Sequence, residues 1–389
     1  MTGSLAGVRV LAVEHFLAGP YATMLMADHG ADVVKVEPKA GDGSRQVGPF
    51  AEGYGEESSV AFIRMNRNKR SVLLDLRDPQ DLEAMHRLIH ATDVLVENLR
   101  PGALASFGLG YPDLVRLNPA IVYTSVSGFG SADLLPGPYM EWPAFDLVAQ
   151  GMTGLLYRAE NSTDAPVHLG FSLTDLYAGT LAFSGTVMAL FARERTGQPQ
   201  RVDISLYDSG IALNEHAVAI AAATGQPPPP GLRATDALYG YFPVADGFVT
   251  ISCPGDSLWR RFCCAIGRPE LAEVEGLRTV RERSQDRDRV HAIALSWLAQ
   301  RTAAEATRIL LEHGVPSGLV LNADDVLASP HARARAAIVR LDDPYWGRIE
   351  VAGNPIKNSD HPIPLRPAPG LGEHTEAILA EWSGPTADH

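Results

Sequence analysis

Short apolar runs and longer amphipathic stretches alternate along the first half of the chain. VRVLAV (8–13) is an unbroken aliphatic run, as expected of a strand covered on both faces. EHFLAG leads from it into a helical segment around 20–29, and ADVVKVE (31–37) is a second strand-like run. Strand, helix and strand in that order predict a parallel β-α-β unit. SVLLDL, DVLVE (93–97), AIVYTSVS (120–127) and RVDISL (201–206) continue the series, most of them separated by helical stretches. The pattern predicts an α/β domain with a mainly parallel sheet over residues 1–224.

At GQPPPPGLR (225–233) the pattern breaks. Successive prolines lack N–H donors and favour extended backbone, so this segment is expected to be a linker. Beyond it, YGYFPVADGFVTIS alternates around Asp246-Gly247, a two-residue hairpin signal. Asp256 is placed to cap a helix over LWRRFCCAIG, and another helix is expected across 289–299. Residues 225–328 therefore predict a smaller α+β domain. SPHARARAAI (329–338) opens a return, and a proline-rich loop with a closing helix completes 329–389 as part of the first domain.

The longest uncharged run, Leu176 to Ala192, contains Thr, Ser and Gly, and is expected to be a buried helix rather than a membrane span. Ser172 and Asp175 precede it with the S-x-x-D spacing of a capping signal, and Gly197 follows it as a stop. A carboxylate there is expected to be held ionised by the helix dipole and free N–H groups. From local sequence alone Asp175 reads as a cap.

Bulk numbers narrow the function classes. A net charge of −13 argues against non-specific binding to nucleic acid or anionic membranes. The three cysteines, Cys253, Cys263 and Cys264, make no CxxC pair, and the N-terminus lacks a basic leader, so a cytoplasmic protein is expected. There is no P-loop, no G-x-G-x-x-G after the first strand, no G-x-S-x-G elbow, and no HExxH or paired CxxC, so no metal site is expected.

What remains is a set of loops and acids. RMNRNKRS (64–71) packs Arg64, Arg67, Lys69 and Arg70 together, either as a solvated turn or as a phosphate platform. FLAGP (16–20), EPKAGDGSR (37–45), ENLRPGAL (97–104) and SGFG (127–130) all follow strands. They would meet at the carboxyl edge of the sheet, where open α/β folds bind ligands.

In their order and spacing these segments resemble the class III CoA-transferase family, of the formyl-CoA and carnitine CoA-transferase type, over nearly the whole chain. The stretches that carry the resemblance are RVLAVEHFLAGPYATMLMADHGADVVKVE with GDGSR, NRNKRSVLLDL, DVLVENLRPGAL, SVSGFG, the Asp175 segment, RERTGQPQRVDISLYDS and PGLGEHT. The resemblance implies a Rossmann-like large domain built from both chain ends, a small middle domain, and an interlinked homodimer. It implies Asp175 as the nucleophile that takes CoA from an acyl-CoA through an anhydride and an aspartyl-CoA thioester. It also implies a CoA site of Leu17, Ala18, Leu74, Arg77, Asn98, Leu99 and Arg100, with coenzyme A as substrate and no prosthetic group. Ala105, Ser106 and Phe107 stand where the family often carries an arginine, and MEWPAFDLVAQG lacks a common basic residue.

Two other functions stay open. A 2-methylacyl-CoA racemase of the same superfamily would need two proton-moving groups, and Phe145 stands where such enzymes place His. A non-catalytic acyl-CoA-binding protein would use Asp175 only as a cap. Trp142, Tyr139 and Glu141 are candidates for the acyl side or for plain packing.

Overall fold

The structure, a computed structural model, describes residues 3–159, 165–231, 237–359 and 364–382. The chain divides into two compact units. The first comprises Met1–Leu156, His168–Gln226 and Pro330–His389, and the second Tyr157–Val167 and Pro227–Ser329.

In the first unit six strands form one parallel sheet: β1 (Arg9–Val13), β2 (Asp32–Glu37), β3 (Arg70–Leu73), β4 (Val94–Glu97), β5 (Val122–Ser127) and β6 (Gln200–Ser205). Their order is β3-β2-β1-β4-β5-β6, the doubly wound arrangement. The winding reverses between β1 and β4, so a crevice opens at their carboxyl ends without any G-x-G-x-x-G loop. Successive side chains of each strand point to opposite faces. Val10, Val33, Val94 and Val122 enter one core with Met26 and Leu190. Leu11, Val34 and Leu95 enter the other with Met85, Leu88 and Trp382.

The helices of this unit include α1 (Ala18–Asp28), α2 (Val60–Asn66), α3 (Pro79–His90), α4 (Tyr111–Leu117), α5 (Asp146–Met152), α6 (Leu173–Thr196), α7 (Leu206–Leu213) and α8 (Glu215–Thr224). By length and composition α6 could cross a membrane. In the fold it is buried along one side only, through Ala178, Ala182, Thr186, Ala189 and Leu190, while Met188 and Phe191 stay exposed. The expected buried helix is thus half a surface. Gly179 sets how closely α6 lies on α1: a Cβ there would meet the Ala18 carbonyl oxygen at 2.6 Å.

Of the basic cluster 64–71 only Arg64 is exposed; the other three basic residues turn inward. Arg67 is buried and paired with Asp28 at 2.6 Å, Lys69 is buried and paired with Glu14 at 2.8 Å, and Arg70 joins Asp32 and Glu381. Buried charge persists only when paired, and the acids that pair it come from strands and helices distant in sequence.

The second unit is built on a three-stranded antiparallel sheet of β7 (Tyr239–Val244), β8 (Gly247–Ser252) and β9 (Ser317–Leu319). Its core centres on Val249, Ile251, Trp259, Phe262, Leu298 and Leu310. Val244 pairs with Gly247, so the hairpin turn is Ala245-Asp246, one residue earlier than expected. The Ala303 N–H donates to Asp246 Oδ1 at 2.7 Å and pins the turn there. Asp256 is the first residue inside its helix rather than its cap, and pairs with Arg283 at 2.8 Å. In the first unit the returning segment adds a hairpin the sequence pattern did not suggest, β10 (Ile338–Asp343) with β11 (Gly347–Ala352).

Candidate active site

The β1 and β4 strands end side by side, and Asn98 ties their loops together. Its Oδ1 accepts from the His15 backbone N–H at 2.8 Å, and its Nδ2 donates to the His15 carbonyl at 2.9 Å. A β-carbon on Gly19 would come within 3.1 Å of Asn98 Cγ, so a side chain at 19 would crowd this clamp.

Beneath the same loop lies a buried ion network. Lys35 reaches Asp42 at 2.9 Å and donates to the Glu14 carbonyl at 2.8 Å, while the Thr23 hydroxyl and Lys69 both donate to Glu14 Oε1. Asp42 in turn accepts from the Phe16 backbone N–H at 3.0 Å. Phe16 is thereby held at φ 60°, in the left-handed region a bulky residue rarely adopts. Burial alone would raise the Asp42 carboxyl, but Lys35 outweighs it and holds it far below the usual range. Burial pulls Lys69 down to about 8 despite Glu14.

A cavity of about 290 Å³ opens at the crevice. It is lined by His15, Phe16, Leu17 and Ala18 after β1, by Asn98, Leu99 and Arg100 after β4, by Ser127 and Gly128 after β5, by Trp142 to Phe145, and by Asp175. Six of the eight residues implied by the resemblance therefore share one cavity. Leu74 and Arg77 do not line it, although both follow β3 at the same sheet edge. Leu74 is buried in the core against α3, and Arg77 is exposed and held bidentate by Asp75 at 2.9 and 3.0 Å. Arg100 is exposed and carries no ion pair among the described residues.

A larger cavity of about 660 Å³ adjoins the first across Leu99, Arg100, Ser127 and Trp142. Burial pushes Glu97 on its wall up to about 7, and Arg201 there is already paired with Asp133 at 2.7 Å. Glu141 and Trp142 line this cavity, whereas Tyr139 packs on Trp142 with ring centroids 4.5 Å apart.

Asp175 stands in the first turn of α6, half-buried, and its carboxylate accepts no hydrogen bond among the described residues. Nor does Ser172 cap the helix. The cap comes from a distant residue, Asp146 at the start of α5. Its Oδ1 accepts from the Thr174 N–H at 2.8 Å, the Thr174 hydroxyl at 2.6 Å and the Asp175 N–H at 3.3 Å. Its Oδ2 accepts from Gln150 Nε2 at 2.6 Å.

Asp146 thus satisfies the free N–H groups that the S-x-x-D spacing assigned to Asp175. Desolvation first, and then the neighbouring Asp146 charge, push the Asp175 carboxyl up to about 7. That corrects the expectation of a carboxylate stabilised by the helix end. It is a desolvated carboxylate that accepts no hydrogen bond among the described residues and lines a cavity.

Two residues of the site were missed in the sequence reading. Asp146 carried a weak sign, an acid opening a helical stretch. His15 lies within EHFLAG, but nothing local marks it.

The chain matches the family model described as CoA-transferase family III over residues 5–375. It is 36% identical to the succinyl-CoA:mesaconate CoA-transferase of Haloarcula hispanica over 97% of this chain and 96% of that protein. It is 33% identical to the acetyl-CoA:oxalate CoA-transferase of Acetobacter aceti over 99% and 97%. Among solved structures, a CAIB/BAIF family protein from Brucella suis superposes with a TM-score of 0.85 at 31% identity, covering 98% of this chain and all of that one. Matched by the family model over residues 5–375 and alike over nearly its whole length to such enzymes, the chain belongs to CoA-transferase family III.

Proposed function

We propose that the protein moves CoA from an acyl-CoA to a free carboxylic acid through a thioester on Asp175. The observation that carries this reading is the Asp175 carboxylate, which lines the cavity and accepts no hydrogen bond among the described residues. An ionised Asp175 oxygen attacks the thioester carbonyl carbon, the C–S bond breaks, and the thiolate leaves with its electron pair. The thiolate then attacks the Asp175 side-chain carbonyl carbon of the resulting anhydride. The donor acid departs as a carboxylate and the aspartyl-CoA thioester remains. An acceptor carboxylate enters and the two displacements run in reverse, regenerating Asp175. No net proton is transferred and one thioester replaces another, so no ATP is required.

A carboxylate pushed to about 7 is a stronger nucleophile than an ordinary aspartate and remains substantially ionised at neutral pH. Arg100, exposed and unpaired beside both cavities, suits an anionic group of CoA. Leu17, Ala18, Asn98 and Leu99 line the cavity for the pantetheine end, and Arg77 is assigned to the outer part of CoA at the same sheet edge, whereas the Leu74 side chain is buried in the core and supports that edge from behind. Exposed Met188 and Phe191 on α6 and Val218 on α8 favour cover by a second copy, as an interlinked homodimer would provide.

Incubation with acyl-CoA should leave a hydroxylamine-sensitive CoA adduct on Asp175. Absence of the adduct, together with full transfer by Asp175→Ala, sinks the proposal. The racemase reading would show instead as deuterium entering the α-carbon of a 2-methylacyl-CoA with no acid present.

A further inference from the structure

His15 is fixed more tightly than cavity lining alone demands. Both of its backbone groups are held by Asn98, its neighbour Phe16 is held in a left-handed conformation through Asp42, and its ring packs against Phe16 with centroids 5.1 Å apart. Its Nδ1 is buried with no hydrogen-bond partner. Nε2 stays accessible and makes no hydrogen bond among the described residues, so it is the ring nitrogen that can present an N–H to a ligand.

Asn98 commits one amide N–H to the His15 carbonyl, and Arg100 lies exposed at the border with the larger cavity. The cavity is small, at the low end of ligand-site volumes, and His15 lines it together with Asp175, with Ser127 and Trp142 as further donors on the wall.

We infer that His15 is a specificity-determining residue: its Nε2–H holds the second, non-reacting carboxylate of a short dicarboxylic acid while the first exchanges CoA at Asp175. The inference rests on the transfer reading above and names the class of acid that reaction takes. The mesaconate and oxalate in the names of the two relatives are both dicarboxylates. A monocarboxylic acid of equal length would leave the imidazole N–H without its partner.

The test compares acceptors that differ only in the second carboxylate. With the full chain and succinyl-CoA as donor, kcat/KM is measured for glutarate and for pentanoate, in wild type, His15→Phe and His15→Gln. His15→Phe should lose about 10- to 100-fold with glutarate, the worth of a hydrogen bond to a charged group, and clearly less with pentanoate, so that the glutarate-to-pentanoate ratio falls. His15→Gln, which keeps an N–H, should recover part of the glutarate rate.

An equal loss with both acids would place His15 at the reacting carbonyl or in folding and overturn the proposal. So would a wild type that does not prefer the dicarboxylate. The hydroxylamine-sensitive adduct is followed in the same samples. Adduct without discrimination defeats the His15 assignment alone, and no adduct in wild type defeats the transfer reading beneath it.

Discussion

Asp146 Oδ1 lies 3.3 Å from the Asp175 backbone nitrogen and takes over the hydrogen bonds a capping residue would make. One carboxylate caps the helix, which leaves the other without a capping duty. The pair also share an electrostatic field, since like charges close together disfavour each other's ionised form.

Removing only the Asp146 charge should lower the pH at which Asp175 becomes reactive. Asp146→Asn keeps an oxygen for the Thr174 N–H, and Gln150 can turn its amide to present the Oε1 that is now buried without a partner. The rate of CoA-adduct formation in wild type should fall by half near pH 7 as the medium is acidified through the Asp175 value. In Asp146→Asn that midpoint should move down. Burial is the larger cause of the shift, so it should still lie above the ordinary carboxylate range. An unmoved midpoint would leave Asp146 as a cap only.

Asp175 should cost stability when ionised. Burial raises its pKa in the folded chain to about 7, well above the ordinary carboxylate range, so the folded state binds the proton more tightly than the unfolded one. The carboxylate's contribution is then most favourable below pH 4 and is lost as pH rises toward 7. Asp175→Asn should therefore raise Tm, by more at pH 8 than at pH 5. Thermal melts at the two pH values check the sign.

Gly179→Ala should be destabilising, although alanine is the better helix former by about 1 kcal/mol. The added Cβ would meet the Ala18 carbonyl oxygen at 2.6 Å, and neither is at the end of a flexible side chain. Forcing α6 off α1 should cost about 1–3 kcal/mol in denaturant unfolding. It should also slow adduct formation, because Ala18 and Asp175 line the same cavity.

Lys35→Met should be the most damaging of these changes. It leaves Asp42 without its cation and one side of Glu14 uncompensated, both buried. Breaking a buried pair from one side costs about 3–5 kcal/mol, which chemical denaturation would measure. The same change releases Asp42, which holds the Phe16 N–H, so activity should fall in the fraction that still folds.

Much of this architecture could be read along the chain. Runs such as RVLAV and VLVE have no polar alternation, and only a strand covered on both faces accommodates them, so the parallel sheet followed from local pattern. The carboxyl-edge loops followed from the strands, and Asp175 was conspicuous as an acid ahead of a long apolar helix. The β10–β11 hairpin was not conspicuous, because IVRLDD and GRIEVA are mixed in character and their pairing is settled by register.

What each charged residue does was decided only by the tertiary structure. Arg67, Lys69 and Arg70 looked like a basic surface, and became internal partners of Asp28, Glu14 and Asp32 once α1 and β2 were brought alongside. Asp175 carried the spacing of a cap, but Asp146, 29 residues earlier, reaches the same N–H groups and removes that duty. His15 gave no local sign, since its value lies in a clamp from Asn98, 83 positions away. Hydrophobic period is a property of neighbours in sequence, so the sequence determined the sheet and its edge. Burial and pairing at that edge depend on distant groups meeting in space, so only the folded chain shows Asp146 capping α6, Asp175 relieved of that duty and His15 clamped by Asn98.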